Sequence, residues 1–126
     1  MSSPIPTGIK LRKASRTLEL EYADGTRFSL PAEFLRVHSP SAEVQGHGQP
    51  ILQTGKQNVA LVGLEPAGNY ALRLVFDDGH DSGLYSWDFL YQLGRDQDSL
   101  WREYLDRLNR AGASRDPDES VVRIML

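Results

Sequence analysis

Tyr70-Ala71-Leu72-Arg73-Leu74-Val75-Phe76-Asp77-Asp78-Gly79-His80-Asp81-Ser82-Gly83-Leu84-Tyr85-Ser86-Trp87 is the stretch on which the fold turns. Its first seven residues alternate, with Tyr70, Leu72, Leu74 and Phe76 on one face and Ala71, Arg73 and Val75 on the other. A period of two over that length predicts a strand, here a central one. Asp77 to Gly83 then interrupts it with three acids, one histidine and two glycines, a turn dense in groups able to do chemistry. Ser86 is placed to cap a short helix, Trp87 to Leu93, which Gly94 is expected to end in left-handed geometry.

Before this stretch, Asn58 to Glu65 predicts another strand. Val59, Leu61 and Gly63 on one face and Ala60, Val62 and Leu64 on the other suggest burial on both sides, with Pro66-Ala67-Gly68-Asn69 as the turn that follows. After it, Leu100, Trp101, Tyr104, Leu105 and Leu108 form one stripe of a helix over Gln97 to Ala111 that should pack against the sheet. Glu103-Arg107 and Asp106-Arg110 sit on its wet side, and Gly112 marks its finish.

The N-terminal part has the same grammar. Ile9 and Leu11 alternate with cations, and Thr17 to Tyr22 alternates so that Leu18, Leu20 and Tyr22 face a core. Asp24-Gly25 supplies a tight hairpin turn, and the chain returns through Arg27-Phe28-Ser29-Leu30. Pro31 suits the first position of a short helix reaching Val37, with Phe34, Leu35 and Val37 inward, and Ser39-Pro40 stops it. From His38 to Asn58 no periodicity is sustained. Loops of that length inside a domain tend to be working surfaces or disorder.

Two halves therefore echo each other. Tyr22-Ala23-Asp24-Gly25 before Glu33-Phe34-Leu35 resembles Phe76-Asp77-Asp78-Gly79 before Asp88-Phe89-Leu90, each running strand, Asp-Gly turn, strand, short helix. The class is α+β: a mainly antiparallel twisted sheet with short helices and one longer C-terminal helix. Residues 1–8 read as an extended lead-in, 9–112 as a single domain and 113–126 as a flexible tail, whose apolar ending Val121 to Leu126 is suited to a sheet edge or another chain.

Composition narrows the function classes. The chain has 126 residues, 40% hydrophobic and 25% charged, with a net charge of -3, which suits one globular domain and gives no pull toward nucleic acid or anionic membrane. Lys10, Arg12, Lys13 and Arg16 read as a solvated strand edge. The absence of cysteine excludes disulfides, thiolate nucleophiles and cysteine-ligated metal. No apolar run approaches the ~20 residues that span a bilayer, and no export signal opens the chain, so the cytoplasm is the expected compartment.

Tyr70 to Trp87, together with Leu35-Arg36-Val37-His38-Ser39-Pro40-Ser41-Ala42-Glu43-Val44-Gln45-Gly46-His47-Gly48, resembles the small bacterial members of the gamma-butyrobetaine-hydroxylase-like N-terminal domain family. In that family's oxygenases the domain precedes a separate iron- and 2-oxoglutarate-dependent catalytic domain and binds zinc through three cysteines and one histidine. Related domains are attached to iron-sulfur carrier ATPases. The resemblance implies an accessory module here, not a hydroxylase. It sets the family's Cys-Pro-Cys-x-x-Cys on Ser39-Pro40-Ser41-Ala42-Glu43-Val44 and its histidine on His80. Serine hydroxyls are poor zinc ligands and Val44 is none, so the soft donors are gone while hydrogen bonds from Ser39, Ser41 and His80 are expected to tie the same corner.

His80 with Glu43, His38 or His47 still offers nitrogen and oxygen donors that suit iron or zinc. Ser82 or Ser86 with His80 and an aspartate matches an acyl-transfer triad by residue type, without the Gly-x-Ser-x-Gly elbow. Asp77, Asp78 and Asp81 lack the calcium-loop pattern. Tyr85, Trp87, Phe89 and Tyr91 are expected in the core, with Trp87 as its anchor. The expected function is a non-catalytic accessory or adaptor domain that binds a protein partner, neither nucleic acid nor membrane, through the 38–58 loop and the His80 turn. Ser39, Ser41, His47, Asp78, His80 and Tyr85 are its candidate contact residues. The alternative is a metal-handling protein linked to iron or iron-sulfur maturation, with His80, His38, His47 and Glu43 as ligands. A small-molecule or enzyme pocket under Trp87 is a third.

Overall fold

The computed structural model describes residues 4–46 and 51–118, Glu43 without its side chain. The lead-in residues 1–3, His47 and the ending 119–126 lie outside the described residues. The N-terminal alternation becomes three antiparallel strands, β1 (Gly8–Arg12), β2 (Thr17–Glu21) and β3 (Arg27–Pro31), in that spatial order. Leu18 pairs with Leu30 and Leu20 with Phe28, which puts Leu18, Leu20 and Leu30 on the buried face. Glu19 and Glu21 fall on the wet face and meet Arg12 and Arg27 at 2.6 and 3.2 Å. The basic segment is thus a solvated face.

The central stretch becomes a second antiparallel sheet, β4 (Leu61–Ala67), β5 (Ala71–Phe76) and β6 (Leu84–Ser86), with β5 in the middle. The strands thus form two three-stranded sheets. Leu72, Leu74 and Phe76 face inward as the alternation requires, whereas Tyr70 lies in the preceding turn and is exposed. Pro66 and Ala67 are not turn residues: they continue β4, opposite Leu72 and Ala71. Nor is β4 buried on both sides. A bulge between Leu61 and Gly63 shifts its register, and Val62 is 51% exposed.

The echo between the halves is repeated atom for atom at their turns. Gly25 and Gly79 have φ of 91° and 88°, which a side chain would strain. Tyr22 N–H donates to Thr26 O at 2.9 Å and Phe76 N–H to His80 O at 3.0 Å. Asp24 and Asp78 carboxylates accept the N–H of Thr26 and His80 at 2.9 and 3.1 Å. His80 therefore occupies the place that Thr26 holds in the first half.

A helix follows each sheet. Pro31 closes β3 with φ -61° and ψ 145°, one residue before α1 (Ala32–Val37), because extended backbone accepts proline as readily as a first helical turn does. All six residues of α1 are buried, including Glu33 and Arg36. A single helical turn, α2 (Ala42–Gln45), interrupts the long loop. After β6, Ser86 Oγ accepts the Phe89 N–H at 3.1 Å and opens α3 (Trp87–Arg95). Gly94 does not end this helix. It lies within α3, where an added Cβ would stand 2.3 Å from the Phe28 ring, so the glycine serves close packing. α4 (Gln97–Ala111) has the expected length and ends at Gly112 in left-handed geometry, φ 62°. Asp106 pairs with Arg110 at 2.6 Å, and Leu105 falls outside the packed stripe and is exposed.

The main core joins the inner faces of both sheets to α1 and α3 through Leu18, Leu30, Phe34, Leu74, Tyr85 and Leu90. Tyr85, fully buried, is its aromatic anchor; Trp87 packs at the edge, its indole N–H donating to Asn69 O at 2.8 Å. A smaller cluster of Val37, Tyr104 and Leu108 seats α4. Beyond α4, the carbonyls of Ser114 and Arg115 accept the N–H groups of Gly55 and Gln57, both at 2.9 Å. Arg115 clasps Glu33 with two bonds of 2.7 Å and lies 5.1 Å over Trp101, joining this segment to α1 and α4. No described helix is long and apolar enough to cross a membrane.

Candidate functional site

The turn after β5 aims His80 inward. Gly79 reverses the chain, Asp78 Oδ1 holds the His80 N–H, and the imidazole, 5% exposed, stands 6.0 Å from the Phe76 ring. The end of α1 supplies the other half. Ser39 Oγ lies 2.8 Å and Ser41 Oγ 3.3 Å from His80 Nε2, and Ser39 Oγ also accepts the Ser41 N–H at 3.3 Å. The hydroxyls donate to a bare Nε2 or accept from a protonated one, according to tautomer. Tyr85 O–H donates to Leu35 O at 2.5 Å from below, and burial pushes its phenol far above the ordinary value. Gln45 Nε2 donates to Ser39 O at 2.8 Å. Gly83 leaves the space that Ser39 fills, since a Cβ there would stand 2.6 Å from Ser39 Oγ.

An ion-pair cluster ties this corner to the loop. Asp78 Oδ2 receives Arg36 Nε and Lys56 Nζ, each at 2.8 Å, and Arg36 also reaches Gln53 Oε1 at 3.2 Å. Burial raises the Asp78 pKa, but Lys56, the His80 N–H and Arg36 together outweigh it and hold the carboxyl at about 2. A folded pKa below the ordinary 3.8 means that the stabilisation is complete above that value and is lost as pH falls toward 2. Asp78→Asn should therefore lower stability at neutral pH by about 1 kcal/mol, a figure reduced for solvent screening. The gap from wild type should close between about pH 4 and 2. Urea melts of both proteins across that range check it; a gap constant with pH would contradict this role.

A family model described as gamma-butyrobetaine hydroxylase-like, N-terminal, matches residues 9–91. The chain belongs to this family. Solved structures extend the likeness of this gamma-butyrobetaine hydroxylase-like domain beyond the matched residues. One NMR structure is 65% identical, covers 99% of this chain and 100% of its own, and superposes with a TM-score of 0.85. A second is 52% identical over 98% and 96%, with a TM-score of 0.80. A crystal structure of a protein of unknown function from Acidithiobacillus ferrooxidans, of the DUF971 family, is 37% identical over 74% and 98%, with a TM-score of 0.63. The comparison with curated proteins returns no match.

The donors at the corner of this gamma-butyrobetaine hydroxylase-like domain do not fit the zinc that the resemblance implies. One imidazole, two hydroxyls and the buried Val44 replace three thiolates and a histidine. The structure does not bring His38 to the same point. Its Nδ1–H donates to Phe34 O at 2.8 Å, and its ring lies against Phe34 and Tyr104, with centroids 4.6 and 6.3 Å away. Burial pushes its pKa below the ordinary value. His47 and the Glu43 side chain lie outside the described residues. Among the described residues no group of three or more histidines and acids could hold a metal.

The other candidates have structural partners too. Asp77 Oδ1 accepts the Ala60 N–H at 3.0 Å, Asp81 pairs with Arg73 at 3.2 Å, and Ser86 caps α3. Ser39 and His80 stand as near as a nucleophile and its base, but Ser39 is 0% exposed. Cavities of about 220, 390 and 240 Å³ are lined by other residues, so none of the three brings a substrate to the pair. What sequence reasoning missed is Arg36, Lys56 and the 220 Å³ cavity beneath the loop. An arginine that shares a short, mostly apolar helix with one glutamate was the available signal for the first.

Proposed function

We propose that this domain is a non-catalytic accessory or adaptor module that receives a protein partner on the 38–58 loop, held in place by the His80 turn. The observation that carries this reading is the cavity of about 220 Å³ between the loop and the last two helices. Val44, Ile51 and Leu52 line it from the loop and Leu93 and Leu100 from the helices, with Gln45, Gln92, Glu103 and Arg107 as polar neighbours, and Ile51 is itself 56% exposed. A hollow that sets apolar side chains beside a few polar ones and exposes a large aliphatic is the form in which a partner's anchor side chain is usually received. Ser39, Ser41, His80 and Tyr85 are enclosed, so they serve by fixing the loop's course, and Asp78 does so through Arg36 and Lys56.

Ile51→Asp tests it. Ile51 is more than half exposed and outside the core, so the change should alter stability by no more than about 0.5 kcal/mol. Affinity capture from the native cell, quantified by mass spectrometry, should lose its specific partner with Ile51→Asp and keep it with Leu105→Asp on the outer side of α4. Equal recovery with both variants would reject the loop as the docking surface.

A further inference from the structure

We infer that the Ser39–Ser41–His80 corner is a metal-independent replacement for a zinc-held corner, closed by side-chain hydrogen bonds in the place where the family resemblance implies an ion. Distance is the first argument. Ligand atoms 2.0 to 2.3 Å from a tetrahedral zinc stand roughly 3.3 to 3.8 Å apart. Ser39 Oγ is 2.8 Å from His80 Nε2, closer than two ligands of one tetrahedral zinc stand. The corner has contracted onto its own hydrogen bond.

Packing is the second. The hydroxyls and the imidazole satisfy one another in a buried space, where an unpaired polar group would be costly. Val44, 2% exposed, stands at the sequence position where the resemblance implies the third thiolate, and Gly83 lies so near Ser39 that a Cβ there would stand 2.6 Å from the hydroxyl oxygen. The third is support from outside the corner. Tyr85 on Leu35 O, Gln45 on Ser39 O, and Asp78 on Arg36 and Lys56 hold the same backbone without any ion. The course of the loop in this chain is then independent of zinc supply and of thiol oxidation, two influences to which a cysteine-zinc corner responds.

Zinc chloride and EDTA are the probes for the native chain. Thermal unfolding should be the same in both, and the imidazole ¹⁵N resonances of His80 should not move on titration with zinc. A shift of the His80 Nε2 resonance that saturates at one equivalent would overturn the inference; zinc taken up with that resonance unmoved would leave it standing. A second arm restores the thiols in Ser39→Cys/Ser41→Cys/Val44→Cys. This variant should bind one equivalent of Co²⁺ with a thiolate charge-transfer band and melt higher with metal. If it folds by circular dichroism yet takes up none, the corner is not the replaced site and the inference fails. If it does not fold, the His80 resonances of the native chain decide.

Discussion

Replacing His80 by alanine is expected to lower the stability of the domain by about 3 kcal/mol and to release the segment from Ser39 to Gly46. Two losses combine. Removing a buried imidazole leaves a hollow beside Phe76, and it strips Ser39 Oγ and Ser41 Oγ of the group on which both converge. Tyr85 and Gln45 continue to hold Leu35 O and Ser39 O, so the chain should still fold. For a domain of this size the melting temperature should drop by roughly 10 °C. Hydrogen exchange separates this local effect from a general one. The N–H groups of Val44, Gln45 and Gly46 bond to Ser41 and Ala42 carbonyls, and they should lose protection earlier than those of β2. His38→Ala, on the α4 side of the same segment, should leave their protection relative to β2 unchanged. Equal loosening by both variants would show that the corner is no special fastening.

Much of this arrangement is legible in the sequence because it is local. Asp24-Gly25 and Asp78-Gly79 specify their turns by a φ that glycine tolerates, and the alternation around Leu18, Leu20, Leu72 and Leu74 is the pleat itself. The α4 stripe succeeds for the same reason at every position but Leu105, its period being that of the helix. What cannot be read is what depends on distant partners. Arg36 meets Asp78 and Glu33 meets Arg115 across 42 and 82 positions, and no local pattern marks such pairs. Val62 misleads because a bulge spends one residue without pairing it. His38 misleads in another way. It is the neighbour of Ser39, yet successive side chains at a helix end leave in different directions, so one goes to Tyr104 and the other to His80. The corner residues themselves emerge from the family resemblance, and their convergence from positions 41 apart is a tertiary fact.

Gly94→Ala should destabilise the domain by about 2 kcal/mol, against the direction that helix propensity predicts. In a solvated helix, alanine in place of glycine gains about 1 kcal/mol. Here the new Cβ would lie 2.3, 2.4 and 2.7 Å from three atoms of the Phe28 ring. The ring cannot easily yield, because Phe28, Tyr22 and Tyr91 form an edge-on trio with centroids 5.3 to 5.6 Å apart. Relief must come from α3 moving off β3, and that carries Phe89, Gln92 and Leu93 away from the cavity they line. The variant should therefore weaken partner capture as well as stability. A double-mutant cycle isolates the cause: in a Phe28→Leu background the alanine should cost little or even stabilise, since the clash is with the ring. Urea melts of the four proteins measure the coupling. If Gly94→Ala destabilises equally in both backgrounds, ring contact is not what excludes a side chain at this position. If it stabilises the wild type, α3 and β3 are less closely fitted than their approach at Gly94 requires.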